Sequence, residues 1–285
     1  MSQENQNSNS ISGHNLFFID SNNVISQCYH AAEAISPRVY ETTLFLFMKK
    51  IFQFRKMINK AIIVFFFDDD HSYRNDIYPW YKAYKKSKTE ENLKHSIINK
   101  AKEIMPSIGF QVFCQHGYEA DDMIAAYVSK YSQGDHRIVV FSSDEDLFQL
   151  SKDKVHFYHP VKDAYFTKRE ILNKYGIKPF EIPIRKALVG KKNEVEGFPG
   201  IGAVTANKII NKEIPFPDID MDLFNDYISV SLLPFVNQND KIRIEDINIY
   251  QGKKDDFKNF FSSNNMEYFL NEKQFKTWIS TFKLK

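Results

Sequence analysis

The 285-residue sequence holds only two cysteines, Cys28 and Cys114, with no paired spacing. That excludes a disulfide framework and a thiolate zinc site, and it fits a reducing compartment. No apolar run approaches the roughly 18–20 residues that a membrane span needs, so no membrane partner is expected. Glycine is sparse, at 10 residues against 26 Phe and 15 Tyr, so the cores and a stacking surface are expected to be aromatic-rich. A strong net charge is also missing. The balance is +2, but basic residues gather at Lys82 to Lys88 and at Arg185, Lys186, Lys191 and Lys192, away from the acidic clusters. Basic patches beside acidic ones suit an enzyme of nucleic acids. No internal repeat and no Ser, His or Cys nucleophile constellation is visible. The stretch from Ser2 to Gly13 is rich in Ser, Asn and Gln and lacks the basic-then-apolar pattern of a secretion signal. It reads as a disordered tail on a cytoplasmic, non-secreted chain.

What is present is organised around Gly117–Tyr118–Glu119–Ala120–Asp121–Asp122. These acids stand between a strand-like segment, Phe110 to Cys114, and an apolar helix beginning at Met123. One or two acids in a first helical turn cap it and offset its dipole. Three repel one another unless a cation lies among them, and a divalent ion is the usual partner. Three further apolar runs, Leu16–Ile19, Ala61–Phe67 and Arg137–Phe141, read as buried parallel strands. They lead into Asp20, Asp68, and Asp144 with Asp146. Helices are expected at Val24–Ala34 and Val39–Ile58, which makes an α/β fold with a mostly parallel sheet. Ligand sites in such sheets collect at the carboxyl ends of the strands, so these acids are expected to converge on one crevice. Asp is also common after strands for its turn chemistry, which is the account given to Asp69, Asp70 and Glu145.

Between Tyr73 and Lys88 cations alternate with rings, among them Arg74, Tyr81, Lys82, Lys85, Lys86 and Lys88. Lys and Arg on phosphates with rings stacked on bases is how single strands are gripped. A solvated helix face needs fewer rings. Lys94–Glu103 continues as a polar helix. Further on, a short helix at Ile184–Val189, a turn at Phe198–Gly202 and a second helix at Ala203–Ile210 suggest a helix–hairpin–helix. Gly200 and Gly202 would let backbone approach a phosphate, with Thr205 and Lys208 on the second helix. Pro215 and Pro217 mark a linker. Asp222–Lys285 is expected to be helical, with Phe257, Phe260, Phe261, Tyr268, Phe269 and Phe275 in a core.

Across residues 15 to 212 these motifs, in this order, resemble the structure-specific 5′-nuclease family: flap endonucleases, the 5′-nuclease domain of bacterial DNA polymerases, and phage 5′–3′ exonucleases including phage-type RNase H. The compact length resembles the phage members most. The resemblance implies a PIN-like nuclease core over 14–170, with a helical arch at about 72–105. A helix–hairpin–helix over 171–212 and a C-terminal helical region over 213–285, packed on the core, would follow. It implies Mg²⁺ or Mn²⁺ ligands at Asp20, Asp68, Glu119, Asp121, Asp122, Asp144 and Asp146. Arg74 and Lys82 would steer the scissile phosphate, and K⁺ would bind at the hairpin. The expected substrate is DNA with a 5′ flap or 5′ end, or an RNA–DNA hybrid as in primer removal. The expected protein is a monomer working beside single-strand-binding or replication proteins, in the host cytoplasm if phage-encoded.

One stretch departs from the family pattern. Where two further Asp residues are expected before the hairpin, the chain reads Gly190–Lys191–Lys192–Asn193–Glu194–Val195–Glu196–Gly197, one residue shorter. Three outcomes are open. A second metal is held weakly by Asp144 and Asp146 alone, Glu194 or Glu196 swings in, or Lys191 or Lys192 supplies the charge directly. A catalytically weakened DNA-binding protein and a PIN-type ribonuclease are the alternative functions.

Overall fold

The computed structural model describes residues 13–57, 61–82, 88–236, 240–250 and 252–285, residues 88–90 by backbone alone. The tail expected at the N-terminus therefore lies, up to Ser12, outside the described residues. Six strands make one sheet: β1 (Asn15–Asp20), β2 (Ala61–Phe66), β3 (Gln111–Phe113), β4 (Ile138–Phe141), β5 (Val155–His159) and β6 (Ala164–Phe166). Their spatial order is β3-β2-β1-β4-β5-β6, all parallel except the β5–β6 pair. Central β1 aligns Phe18 with Val64 on one side and Val140 on the other. The chain thus leaves β1 toward β2 and returns to its opposite side at β4. This reversal opens a crevice past the carboxyl ends of β1 and β4.

Both faces of β1 are buried, which is why its run is continuously apolar. Phe17 and Ile19 enter one core and Leu16 and Phe18 the other. The first core is closed by the helices Ser21–Ile35, Val39–Met57 and Lys88–Ser107 and by the C-terminal helices. Ile97, Ala101, Ile104 and Met105 form the apolar stripe of helix Lys88–Ser107. Half of the segment expected as an arch is therefore packed onto the sheet, because a stripe at i, i+4, i+7 and i+8 must be covered. The second core is closed mainly by helix Ala120–Tyr131, through Met123, Ile124, Tyr127 and Val128.

Two expectations are corrected. Strands β5 and β6 were not anticipated, since β5 (Val-His-Phe-Tyr-His) lacks a continuous apolar run. Residues 240–250 are neither helix nor strand, although a helical C-terminal region was expected. Their N–H groups are satisfied by side chains around β3. Arg243 donates to Gln115 Oε1 (2.7 Å), Glu245 to Tyr127 Oη (2.9 Å), Ile247 to Tyr131 Oη (3.0 Å) and Asn248 to Gln111 Oε1 (2.6 Å). Among the described residues no helix is long and apolar enough to cross a membrane.

Helices Lys254–Ser263, Glu267–Leu270 and Glu272–Phe282 bring Phe257, Phe260, Phe261 and Phe269 into the first core, whereas Tyr268 is 52 % exposed. Trp278 sits between Phe52 and Phe282, with ring centroids 4.9 and 4.8 Å away. Trp278→Ala is expected to remove about 3–5 kcal/mol of stability, the range for a buried aromatic, read from the denaturant midpoint at unchanged slope. A loss below about 1 kcal/mol would show that burying this ring is not what holds the C-terminal helices on.

Candidate active site

The strand ends bring Asp20, Asp68, Asp144 and Asp146 to the crevice, and helix Ala120–Tyr131 presents its N-terminus there. The first turn of helix Ser21–Ile35, Ser21–Asn22–Asn23, ties the strand ends together. Asp20 Oδ1 caps its helix by accepting from Asn23 N–H (3.1 Å), and its Oδ2 accepts from Ser142 Oγ (2.6 Å). Asn22 Oδ1 accepts the Asp68 N–H (3.2 Å), and Asn23 Oδ1 accepts the Ser143 N–H (2.9 Å). Asp68 Oδ1 in turn accepts the Ala120 N–H at 2.7 Å. Asn22 and Asn23 were noticed only as part of a motif; their bridging role has no sequence signal beyond that.

The three acids of the central hexapeptide differ in their surroundings: Glu119 is the extended N-cap, and Asp121 and Asp122, successive in the helix, cannot share a face. Gly117 has φ +80°, and a Cβ there would stand 2.1 Å from the Tyr73 ring, so glycine alone permits this turn. Glu119 receives Lys82 Nζ (2.8 Å), Ser72 Oγ (3.2 Å) and Tyr81 Oη (3.3 Å). Burial pushes its carboxyl up, but Lys82 and Arg74 outweigh that and hold it down at about 2. Asp121 turns toward the other acids. Burial, then Asp20, Asp144 and Asp68, push its carboxyl well above the usual carboxylate range. Burial and neighbouring Asp68 raise Asp20 to about 7, and burial and Glu119 raise Asp68. Buried Asp20 and half-buried Asp68 and Asp121 thus gather negative charge that no ammonium among the described residues meets in a hydrogen bond to their carboxylates. Their hard oxygen donors fit a divalent cation.

Asp122 does not belong to that group, contrary to expectation. It is 0 % exposed, and its carboxylate is saturated. Arg74 Nη1 and Nη2 grip it at 2.5 and 2.7 Å, the Phe235 N–H donates at 2.7 Å and the Glu119 N–H at 3.2 Å. Arg74 is corrected with it. At 2 % exposure, with Nε donating to Val230 O (3.0 Å) and Phe235 under the guanidinium, it anchors helix Ala120–Tyr131 to 230–235 and cannot meet a phosphate. Tyr81 is likewise buried (3 %), a packing residue and not a stacking platform, whereas neighbouring Trp80 is 39 % exposed. Asp69 and Glu145, expected to be solvated, are structural anchors. Asp69 accepts the Gly117 N–H (3.0 Å), and Glu145 takes Lys162, Lys174 and Tyr175.

Across the crevice, oxygens of Asp144, Asp146 and Glu194 lie within 4.8 Å of one another. Lys191 Nζ is among them, and Lys186 Nζ touches Asp146 and Glu194. Burial pushes Asp146 up, yet these two ammonium groups hold it below the usual range, while Asp144 is raised by burial and by Asp146. Lys186 was read only as part of a basic cluster. Asn193 keeps its side chain exposed, in a left-handed turn at φ +65°.

Lys85 and Lys86 lie outside the described residues, as does the side chain of Lys88. Helices Ile182–Val189 and Ala203–Ile210 flank a turn in which Gly200 has φ +79° and open space around it. Gly202 and Lys208 are exposed, and Thr205 is half-buried.

With this crevice in view, residues 15–176 match the family model described as the 5′-3′ exonuclease, N-terminal resolvase-like domain. The 5′-3′ exonuclease of Aquifex aeolicus is 32% identical over 201 residues, covering 69% of each chain. Among solved structures, bacteriophage T5 5′-exonuclease with bound divalent zinc ions matches with a TM-score of 0.62 at 20% identity, over 78% of this chain and 90% of that one. The catalytic core of Rad2 in complex with a DNA substrate matches with a TM-score of 0.56 at 15% identity, over 88% and 87%. The chain belongs to the 5′-3′ exonuclease family, nucleases that hydrolyse phosphodiester bonds.

Asp122→Ala is expected to destabilise the fold by about 3–5 kcal/mol, because it strands a buried guanidinium. Chemical denaturation measures this, and a change under about 1 kcal/mol would return Asp122 to the list of metal ligands.

Proposed function

We propose that the protein is a divalent-metal-dependent 5′-nuclease acting on DNA with a 5′ flap or free 5′ end, and on the RNA of RNA–DNA hybrids, as in primer removal. The observation that carries this is the group Asp20, Asp68 and Asp121, crowded, protonation-prone and short of positive charge beside Glu119. These four residues would hold Mg²⁺, with Mn²⁺ able to substitute. The ion relieves negative charge on the phosphate and lowers the pKa of an attacking water.

The chain's own residues do the rest. Lys82 is half-exposed (47 %) and hydrogen-bonded to Glu119, so it stands at the rim of the acid group with donors to spare for a phosphate. Its backbone N–H donates to Asn193 O at 2.9 Å, which fixes where that ammonium emerges. Exposed Trp80, together with Tyr78 at 5.5 Å between centroids, offers a ring surface for an unpaired base. The two helices around Gly200–Gly202 would hold duplex backbone as a helix–hairpin–helix, Lys208 and free N–H groups facing phosphates and K⁺ bound at the turn. We assign 14–170 to the nuclease core, 171–212 to duplex binding and 213–285 to support of the core. A monomer in the cytoplasm, beside single-strand-binding proteins, completes the proposal.

Asp121→Asn is expected to slow Mg²⁺-dependent cleavage of a 5′-flap duplex about 100-fold or more, the several kcal/mol that a lost metal position removes. The assay compares flap, nicked duplex and RNA–DNA hybrid; undiminished flap cleavage by the variant would end the assignment. A second test uses pH. Asp20, at about 7 when folded, stabilises the metal-free fold below the unfolded Asp value, and this contribution is lost as pH rises toward 7. Mg²⁺ relieves that loss without having to displace a proton at high pH. The gain in Tm on adding Mg²⁺ is therefore expected to be larger at pH 8 than at pH 5, and smaller at both in Asp20→Asn. An equal gain at both pH values in the wild type would detach Asp20 from the metal.

A further inference from the structure

The half of the crevice formed by Asp144, Asp146 and Glu194 has the spacing of a metal pocket, but it already contains a cation. Lys191 Nζ lies 3.1 Å from each oxygen of Asp144, 2.7 Å from Asp146 Oδ2 and 3.0 Å from Glu194 Oε1. An ammonium has three N–H groups and no acceptor, and here it faces three carboxylates. Lys186 Nζ adds contacts of 2.7 Å to Asp146 Oδ2 and 2.5 Å to Glu194 Oε2. Three negative charges meet two positive ones. In the other half, among the described residues, Lys82 on Glu119 is the one ammonium hydrogen-bonded to a carboxylate of Asp20, Asp68, Glu119 or Asp121.

The ammonium is delivered by backbone, not by a loose surface chain. The Lys191 N–H donates to Val195 O (2.8 Å) and the Val195 N–H to Lys191 O (3.0 Å), closing a tight loop. Gly190 and Gly197 clasp its base: a Cβ on Gly190 would lie 2.4 Å from Glu196 O, and one on Gly197 2.5 Å from Gly190 N. Lys186 is 8 % exposed, on the helix Ile182–Val189 that leads into the loop. A divalent ion drawing on the same oxygens would have to expel Lys191 from all three acids at once.

We propose that Lys191, supported by Lys186, is a fixed cation that replaces a second divalent ion, so that the chain binds one divalent ion, at the Asp20–Asp68–Glu119–Asp121 half alone. This rests on the nuclease reading given above and deepens it. The residues of the second half do not fit a metal in the presence of Lys191, and no step of hydrolysis is assigned to one. Lys191 acts through the carboxylates it holds, as a positioning residue. It also lines both clefts that flank its loop, of about 830 and 540 Å³, so part of its charge faces the space where a phosphate backbone would run.

The test is a count of bound metal, independent of turnover. The full-length protein is titrated with Mn²⁺ at pH 7.5, free Mn²⁺ being followed by electron paramagnetic resonance. One Mn²⁺ per chain is expected for the wild type and for Lys191→Arg. Two are expected for Lys191→Ala and Lys191→Gln, where three carboxylates lose their central cation. Two ions per wild-type chain with affinities within tenfold of each other would overturn the proposal, and so would a count of one in both charge-removing variants. The wild-type count needs no variant to fold. If no Mn²⁺ binds to the wild type, the divalent-metal reading falls together with this one. Retained one-ion binding with failed flap cleavage would instead fault only the substrate assignment.

Discussion

Like-charge repulsion at the carboxyl edge of the sheet governs this structure. Two carboxylates 4 Å apart repel by about 4 kcal/mol at the effective dielectric of a protein surface, and the crevice gathers seven acids, Asp20, Asp68, Glu119, Asp121, Asp144, Asp146 and Glu194. No ordinary fold tolerates that without positive charge placed among them. The chain supplies some itself: Lys82 on Glu119, and Lys191 and Lys186 on Asp144, Asp146 and Glu194. At the carboxylates of Asp20, Asp68 and Asp121, where no described ammonium is hydrogen-bonded, burial and neighbouring acids push the carboxyls up from the usual range. The distribution of lysines therefore divides one acidic crevice into a half that is satisfied by the chain and a half that calls for a ligand.

The same constraint explains why neighbouring acids in one hexapeptide do different work. Successive helical side chains point about 100° apart, so Asp121 and Asp122 cannot both face one ion, while Glu119 stands before the helix as its extended N-cap. Asp122 turns into the protein and is neutralised by the most buried cation available, Arg74. That pair fixes the helix against 230–235, and Glu119 and Asp121 take their aim from it. An ion pair turned into the core thus helps set the direction of Glu119 and Asp121. The site is assembled by burial first and by chemistry second.

What could be read in the sequence follows from the same physics. Strands β1, β2 and β4 announce themselves because parallel strands are covered on both faces and must be apolar throughout, and an acid directly after such a run has only the crevice to enter. Strand β5 is interrupted by His156 and ends in His159, and β6 is a three-residue antiparallel edge, so neither produces such a run. The 240–250 segment is held by Gln and Tyr acceptors far away in the chain, which no local pattern reports. Arg74 and Tyr81 were misassigned for one reason. A cation or ring within a basic, aromatic stretch looks like a nucleic-acid contact until its burial is known, and both lie at 3 % exposure or less.

Lys191 was legible only as a departure, and the structure gives the departure a cause. A Lys where the family pattern carries Asp reverses the local charge, and here that charge sits among Asp144, Asp146 and Glu194. Asp144 and Asp146 need it, since Asp144 stands just beyond β4, after Ser142 and Ser143, and Asp144 Oδ1 accepts the Asp146 N–H at 2.9 Å, which keeps the two together. An ammonium satisfies them permanently. A divalent ion would satisfy them reversibly and with twice the charge, and that difference separates the two halves of the crevice. The proposed fixed cation secures charge and shape at any metal concentration, but it cannot lower the pKa of a water as a divalent ion does. Under that proposal, activation of the attacking water would fall to a divalent ion held by Asp20, Asp68, Glu119 and Asp121.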